Sequence, residues 1–519
     1  MTTPASGNRQ ESPPLEYIFH PRSIAVAGAS TNPLRWFINE FYIEPLLKMG
    51  YPGQVYVINP RGGEIMGLPV YRSLRDVPGP VDHVVSCIPA EQTPQLLEEC
   101  RHLGVKVVQF YSAGFAETGE PGGIELQRKL VEIARNSNIR LLGPNCMGIY
   151  CPTSRISFCV NYPREAGPIG LISQSGSNTT YIIRSAVVRG LRFSKAISYG
   201  NACDINECDL LDYLTEDPET KVIAAYIEGT AEGQRLRQVL TRAASAKPVV
   251  IYKGGYTEGG IRAASSHTGA LAGADAVWDG FLKQVGAIRV HTVEEMVDVL
   301  VALLRMKPPP GLNTCVVGNG GGASVLATDE FERAGFRLPS MPPEIRDKMK
   351  ELIPLAGSML RNPIDAAPLF GAEQARLLNR AGMSGWEDAI REMRFSRGDK
   401  GLGDFMGALE EWSELDSLIL HYSVDSLPGI IRDWAIGSGS APMIVAAKEC
   451  RLPVAMIIHF ISNEDSWLPS LKIQQLSLEA GLPLFLSMRG AAKAIRRLIE
   501  FNKAHPELVR VLREGIEPA

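Results

Sequence analysis

The chain lacks several things, and each absence removes a class of function. No apolar run approaches the roughly eighteen residues that span a bilayer, so no membrane role is expected. A net charge of −4, with no basic block, argues against a nucleic-acid partner. The nine cysteines are odd in number and contain no CxxC; the closest pairs, Cys146/Cys151 and Cys203/Cys208, lack the second half of a zinc site. No metal site is therefore expected, and the thiols read as reduced, in a cytoplasmic setting. The opening stretch "MTTPASGNRQESPPLEYIF" has neither a charged n-region nor an apolar h-region, so residues 1–19 are expected to form a flexible tail. A complete GxGxxG is missing, as is a GxSxG nucleophile elbow. Histidine is scarce too, with eight in the chain, so one set in a loop of small residues stands out.

What is present is alternation. At 519 residues the chain is too long for one ordinary core, so two to four domains are expected. Short β-branched runs alternate with helical patterns: "SIAVAGAS", "QVYVINP", "HVVSCIPA", "VKVVQFYS" and "IRLLGPN". That βαβα order implies an α/β domain with a parallel sheet over residues 20–150. A second set, "PIGLISQSGS", "RFSKAISYGN", "VIAAYIEGT", "KPVVIYKGG" and "GAIRV", predicts a flavodoxin-like unit over 165–306. "MKPPPGLN" reads as a joint, because its prolines cannot continue a helix. A third α/β unit is expected over 312–510, from "TCVVGNGGGASV" to "LPLFLSMRGAAKAIRRLIEF", with a helical surface insertion near 370–412. The fold class is thus α/β, with three domains in tandem.

In an open parallel sheet, ligands bind beyond the carboxyl ends of the strands. In the first unit those ends carry Gly28 and Ser30, then Asn59, Pro60 and Arg61, then "CIPA", "YSAGF" and "GPNCMG". Arg61 suits a phosphate, and the absence of an acid at the end of the second strand argues against NAD. In the second unit "LISQSGSNT" brings Ser175, Gly176 and Ser177 to a helix start, which serves either as a plain N-cap or as an anion site. Glu228 ends an apolar strand, where an acid is either solvated or placed to hold an imidazole N–H. The loop "RAASSHTGALAG" presents His267 among alanines, serines and glycines. A helix N-terminus, a carboxylate and a histidine on one edge suit an imidazole that carries a phosphoryl group.

With these residues in place, the chain resembles the NDP-forming acyl-CoA synthetase family, which includes succinyl-CoA synthetase. The stretches that carry the likeness include "SIAVAGAS", "YPGQVYVINP", "GPNCMGIY", "GLISQSGS", "SYGNACDINECDLLDYL", "RAASSHTGALAG" and "GGGASVLATDEFERAG" followed by "RNPID". The resemblance implies a CoA-binding Rossmann-like domain followed by two succinyl-CoA synthetase-like ligase domains, of α-subunit type. It implies His267 as the phosphorylated residue, Glu228 as the carboxylate that contacts it, and Ser175, Gly176 and Ser177 as the phosphate-holding helix start. Gly28, Ser30, Asn59, Pro60, Arg61, Ile88 and Pro89 would line the CoA site, with Asn145 near the thiol.

The reaction so implied joins a carboxylic acid to CoA through a phosphohistidine and an acyl phosphate. Nothing after residue 310 reads as the ATP-grasp module that would phosphorylate the histidine. ATP or another NTP, with Mg²⁺, is therefore expected on a separate β-type chain, in a hetero- or homo-oligomer. A nucleotide-independent CoA-dependent acyl transferase, lyase or hydrolase is the alternative on this scaffold, and a non-catalytic CoA sensor is another. The chain departs from the family in "TNPLRWFINEFYIEPLLKMG", where small residues would be usual. Trp36, Phe37 and Tyr199 are either core or the mark of a bulky or aromatic acid.

Overall fold

The computed structural model describes residues 14–30, 32, 36–262, 275–318, 320–353, 359–366, 402–423, 441–460 less the last, 464 and 467–515. These residues form two compact units, Met1–Met296 and Val297–Ala519. The first holds two sheets and the second holds one.

The first sheet is built from β1 (Ser23–Ala27), β2 (Gln54–Ile58), β3 (Gly63–Ile65), β4 (Leu68–Tyr71), β5 (His83–Ser86), β6 (Val107–Phe110) and β7 (Arg140–Leu142). Their order is β3-β4-β2-β1-β5-β6-β7, parallel except for the β3–β4 hairpin. β1 and β5 are wholly buried, as expected of strands covered on both faces. The strand order reverses between β1 and β5, which opens a crevice at their carboxyl ends. His83, at the start of β5, is 1% exposed, and neither ring nitrogen has a hydrogen-bond partner among the described residues.

The second sheet contains β8 (Gly148–Tyr150), β9 (Ile169–Ser173), β10 (Phe193–Ser198), β11 (Val222–Ile227), β12 (Val249–Lys253) and β13 (Ile288–Val290), in the order β13-β12-β11-β9-β10-β8. All run parallel except β8, which lies antiparallel to β10. Its switch point lies at β9, flanked by β10 and β11.

Two details at the expected boundaries follow from the pairing and the packing. β8 falls inside residues 20–150 yet is the edge strand of the second sheet. The end of the expected tail is not loose: Ile18 and Phe19 are fully buried, and Phe19 stacks on Tyr213 at 4.6 Å between centroids. A backbone seam also joins the chain after β7 to the chain after β10. Asn201 donates its N–H to the Pro144 carbonyl (3.0 Å), Cys203 to Gly143 (3.1 Å) and Ile205 to Leu141 (3.2 Å).

In the second unit, β14 (Thr314–Gly318), β15 (Met359–Leu360), β16 (Ile364–Asp365), β17 (Ser417–Ser423), β18 (Val454–His459) and β19 (Leu484–Phe485) form a sheet ordered β15-β16-β14-β17-β18-β19. The helix Met488–Ala504 packs an apolar stripe that includes Ile495, Leu498 and Ile499. Of the expected insertion, residues 370–401 lie outside the described residues. Its other end is core and not surface: Phe405, Leu409 and Trp412 are buried in the cluster beneath this sheet. Among the described residues, no helix is long and apolar enough to cross a membrane.

Candidate active site

The crevices of the first two sheets face one another across a single cavity of about 640 Å³. From the first sheet come the residues after β5, Ile88 and Pro89, and those after β6, Tyr111 and Ser112. From the second comes the turn after β9, Gln174 to Ser177, and Asn145 to Met147 close the floor. Ile88, Pro89, Asn145, Ser175, Gly176 and Ser177, all expected from the sequence, thus line one space.

Each is held by local structure. Ser175 caps the helix Gly176–Val187, its hydroxyl accepting from the Asn178 N–H (3.3 Å) and lying 3.1 Å from the Ser177 hydroxyl. The first amides of a helix have no intrahelical acceptor, so this end offers N–H groups and a partial positive charge to an anion. Gly176 permits the close approach: a Cβ there would come within 2.5 Å of Met147 Cγ. Asn145 adopts a left-handed conformation, φ 57°, and its N–H donates to the Ser112 carbonyl (3.1 Å).

Gly28, Ser30 and Asn59 stand together at the ends of β1 and β2, outside the cavity lining. Asn59 Nδ2 donates to the Ala29 carbonyl (2.6 Å), while its Oδ1 accepts from the Arg61 N–H (3.0 Å). The Ser30 hydroxyl accepts from the Asn32 N–H (3.1 Å), and Asn39 Nδ2 donates to the Ser30 carbonyl (2.8 Å). Pro60 and Arg61 are exposed.

Glu228, 6% exposed just past β11, is bound to the cavity wall through Gln174. Its N–H donates to Gln174 Oε1, which also accepts from the Gly229 N–H (3.1 Å). The Tyr226 hydroxyl donates to Glu228 Oε1 (3.1 Å). At the end of β12, Lys253 is 2% exposed, and burial lowers its ammonium to about 8. Its Nζ donates to the Gly254 carbonyl and lies 5.4 Å from the Trp278 ring centre. His267 lies outside the described residues.

Some residues went unnoticed from sequence, and for others packing decides between the readings left open. Gln174, Tyr226 and Lys253 were missed; a lysine ending the apolar run "VVIYK" was the one legible signal among them. Asn206 caps Glu207–Glu216, and Asp204 pairs with Arg140 (3.0 Å). Tyr199 is fully buried and not among the cavity residues, whereas Phe37 is one of them.

The comparisons with known proteins agree with this layout. A CoA-binding-domain model matches residues 22–152, and a succinyl-CoA-ligase-like flavodoxin-domain model matches 166–303. The α subunit of ADP-forming acetate–CoA ligase I from Pyrococcus furiosus is 37% identical over 357 residues, 68% of this chain and 76% of the relative. The chain belongs to the NDP-forming acyl-CoA synthetases. A trans-feruloyl-CoA synthase of unknown prokaryotic origin is 27% identical to this synthetase chain over 500 residues, 94% of the chain and 65% of that relative. Among solved structures, the apo dinucleotide-forming acetyl-coenzyme A synthetase 1 of Ca. Korarchaeum cryptofilum superposes with a TM-score of 0.73 at 28% identity. That match covers 96% of the synthetase chain and 100% of the other. The same Korarchaeum protein has been solved with phosphate and ADP, and matches with a TM-score of 0.72 at 28% identity over 98% and 100% of the two chains.

Proposed function

We propose that this chain carries the acyl-transfer half of an acid–CoA ligase (NDP-forming), in which His267 is the phosphoryl carrier. The observation that supports it is the meeting of the helix start Ser175–Ser177 with Ile88, Pro89 and Asn145 in one cavity. An anion held at the helix start and a thiol brought over the first sheet would converge there.

A β-type chain with an ATP-grasp site would hold ATP and its Mg²⁺; the His267 imidazole takes the terminal phosphoryl group, a P–N bond forming as the P–O bond to the nucleoside diphosphate breaks and that diphosphate leaves. In support, the Pyrococcus relative is named as an α subunit. A carboxylate oxygen of the acid then attacks phosphorus; the P–N bond breaks, and an acyl phosphate forms. The CoA thiol attacks the acyl carbon, the C–O bond breaks, and phosphate leaves with the thiol proton passing to phosphate or solvent. Splitting the reaction gives each step a good leaving group. The amides of Gly176 and Ser177 hold phosphate charge, and Glu228, positioned by Tyr226 and Gln174, orients the imidazole. Gly28, Ser30, Asn59, Pro60 and Arg61 hold the nucleotide end of CoA.

The reverse direction needs no nucleotide site, which makes the test simple. The full chain is incubated with ³²P-phosphate and a panel of acyl-CoA thioesters. Acid-labile, base-stable label is expected on the chain, absent in His267→Ala. No label from any thioester, or equal label in the variant, overturns the phosphohistidine reading. Calorimetry should separately detect CoA binding by the chain alone. The relatives' names span acetate and trans-ferulate, so likeness leaves the acid open.

A further inference from the structure

One wall of the cavity is aromatic, and it is built from buried supports. Phe37 opens the helix Phe37–Tyr42 and lines the cavity with 40% of its surface exposed. Its ring meets Tyr111 at 6.4 Å and Phe41 at 6.2 Å, both tilted toward edge-to-face. Phe41 in turn meets Tyr111 at 6.3 Å, and Tyr42 meets it at 5.6 Å. The group is fixed from below, because Ile38 and Tyr42 are buried and the Tyr42 hydroxyl donates to the Met147 carbonyl (3.0 Å). Met147 is also the floor residue that lies against Gly176. The polar helix start and the aromatic wall are therefore two parts of one cavity lining.

The wall of that space is more aromatic than a two-carbon acid needs. The cavity's volume of about 640 Å³ is shared with the thiol end of CoA in the ligase reading above, so the wall and not the size speaks to the acid. An exposed phenylalanine facing water forgoes its burial free energy, and recovers it when an apolar partner covers the ring. Rings that present faces and edges in tilted array receive another ring best, since aromatic pairs favour offset and edge-to-face contact. Resting on the ligase reading above, we propose that the acid is an aryl carboxylate. It carries a planar ring on a short linker, and Phe37 and Tyr111 are its specificity-determining residues. The carboxylate lies toward Ser175–Ser177 and the ring against Phe37.

Two readouts on the full chain test this. In the first, trans-cinnamate and acetate are titrated by calorimetry into the CoA-saturated chain. Cinnamate should bind and acetate should bind at least about ten-fold more weakly; Phe37→Ala should weaken cinnamate by about ten-fold, with Phe37→Leu between. Because Phe37 is half exposed, neither variant threatens the core, and circular dichroism checks this. In the second, ³²P labelling from phosphate is compared between cinnamoyl-CoA and acetyl-CoA. The ratio should favour cinnamoyl-CoA and should fall in Phe37→Ala. Equal or tighter acetate binding, or a loss in Phe37→Ala that tracks CoA affinity and spares cinnamate, overturns the proposal; the latter would make the wall a pantetheine contact. Cinnamate binding that depends on Phe37 without label from any thioester supports the pocket and overturns the phosphohistidine step alone.

Discussion

His83 makes the first sheet acid-sensitive, and by a calculable amount. It begins the strand that delivers Ile88 and Pro89 to the cavity. It lines a small cavity together with Ile24, Tyr42, Leu46, Gln109, Ser157 and Phe158, Tyr42 being the other titratable side chain of that lining. Burial lowers it from the ordinary 6.5 to about 4, with the charge of the neighbouring Asp82 opposing. The unfolded chain thus binds more protons than the folded one between these values, so stability falls as pH drops below 6.5. Linkage then gives a loss of about 2 kcal/mol between pH 7 and pH 5 from this residue alone. Carboxylates titrate nearby in pH, so the comparison is with His83→Leu, which removes the proton site and keeps an apolar core. Hydrogen exchange of peptides covering residues 83–110, with intrinsic rates corrected, reads opening of this sheet apart from the second unit. The wild type should lose about 2 kcal/mol more protection than the variant over that range, and its CoA affinity should fall in parallel. Equal losses in the two proteins would refute the reasoning.

Other consequences are local. Gly28 has φ +102°, and a Cβ there would lie 2.7 Å from the Cys87 carbonyl oxygen, so Gly28→Ala should strain the β1 turn by roughly 1–2 kcal/mol and weaken CoA binding in calorimetry. Ser175→Ala removes a helix cap and should cost about 1 kcal/mol of stability in urea unfolding, with slower phosphate labelling. Lys253, held near 8 by burial, binds fewer protons folded than unfolded up to its ordinary 10.5. Stability should therefore rise from pH 8 to 10 in the wild type relative to Lys253→Met, measured by urea midpoints.

The long parallel strands were legible because each is a β-branched run closed by glycine or proline, as in "SIAVAGAS" and "KPVVIYKGG". What escaped was short or antiparallel. The β3–β4 hairpin has strands of three and four residues, turning on Met66 with φ 52° and Gly67, too brief for periodicity to register. β8 reads as the tail of the first domain because the crossover to the second sheet carries no break in pattern. At the site, residues at strand ends could be picked out, since topology sends them to one edge. The link from Glu228 to Gln174 could not, because it spans 54 positions and joins a backbone amide to a side chain that reads as loop polarity. Tyr199 and Phe37 look alike in sequence, yet one fills the core and the other faces the cavity. Only packing separates them.

The seam between Leu141–Pro144 and Asn201–Ile205 bears on how such enzymes can be cut and recombined. The segment joining the two matched families, residues 153–165, looks like a natural point for exchanging one relative's CoA module for another's. A graft made there would strand β8 on the wrong side and leave the amides of Asn201, Cys203 and Ile205 facing a foreign loop. The inheritable unit is therefore the pair of sheets, and a chimera that respects it has to take residues 14–296 whole.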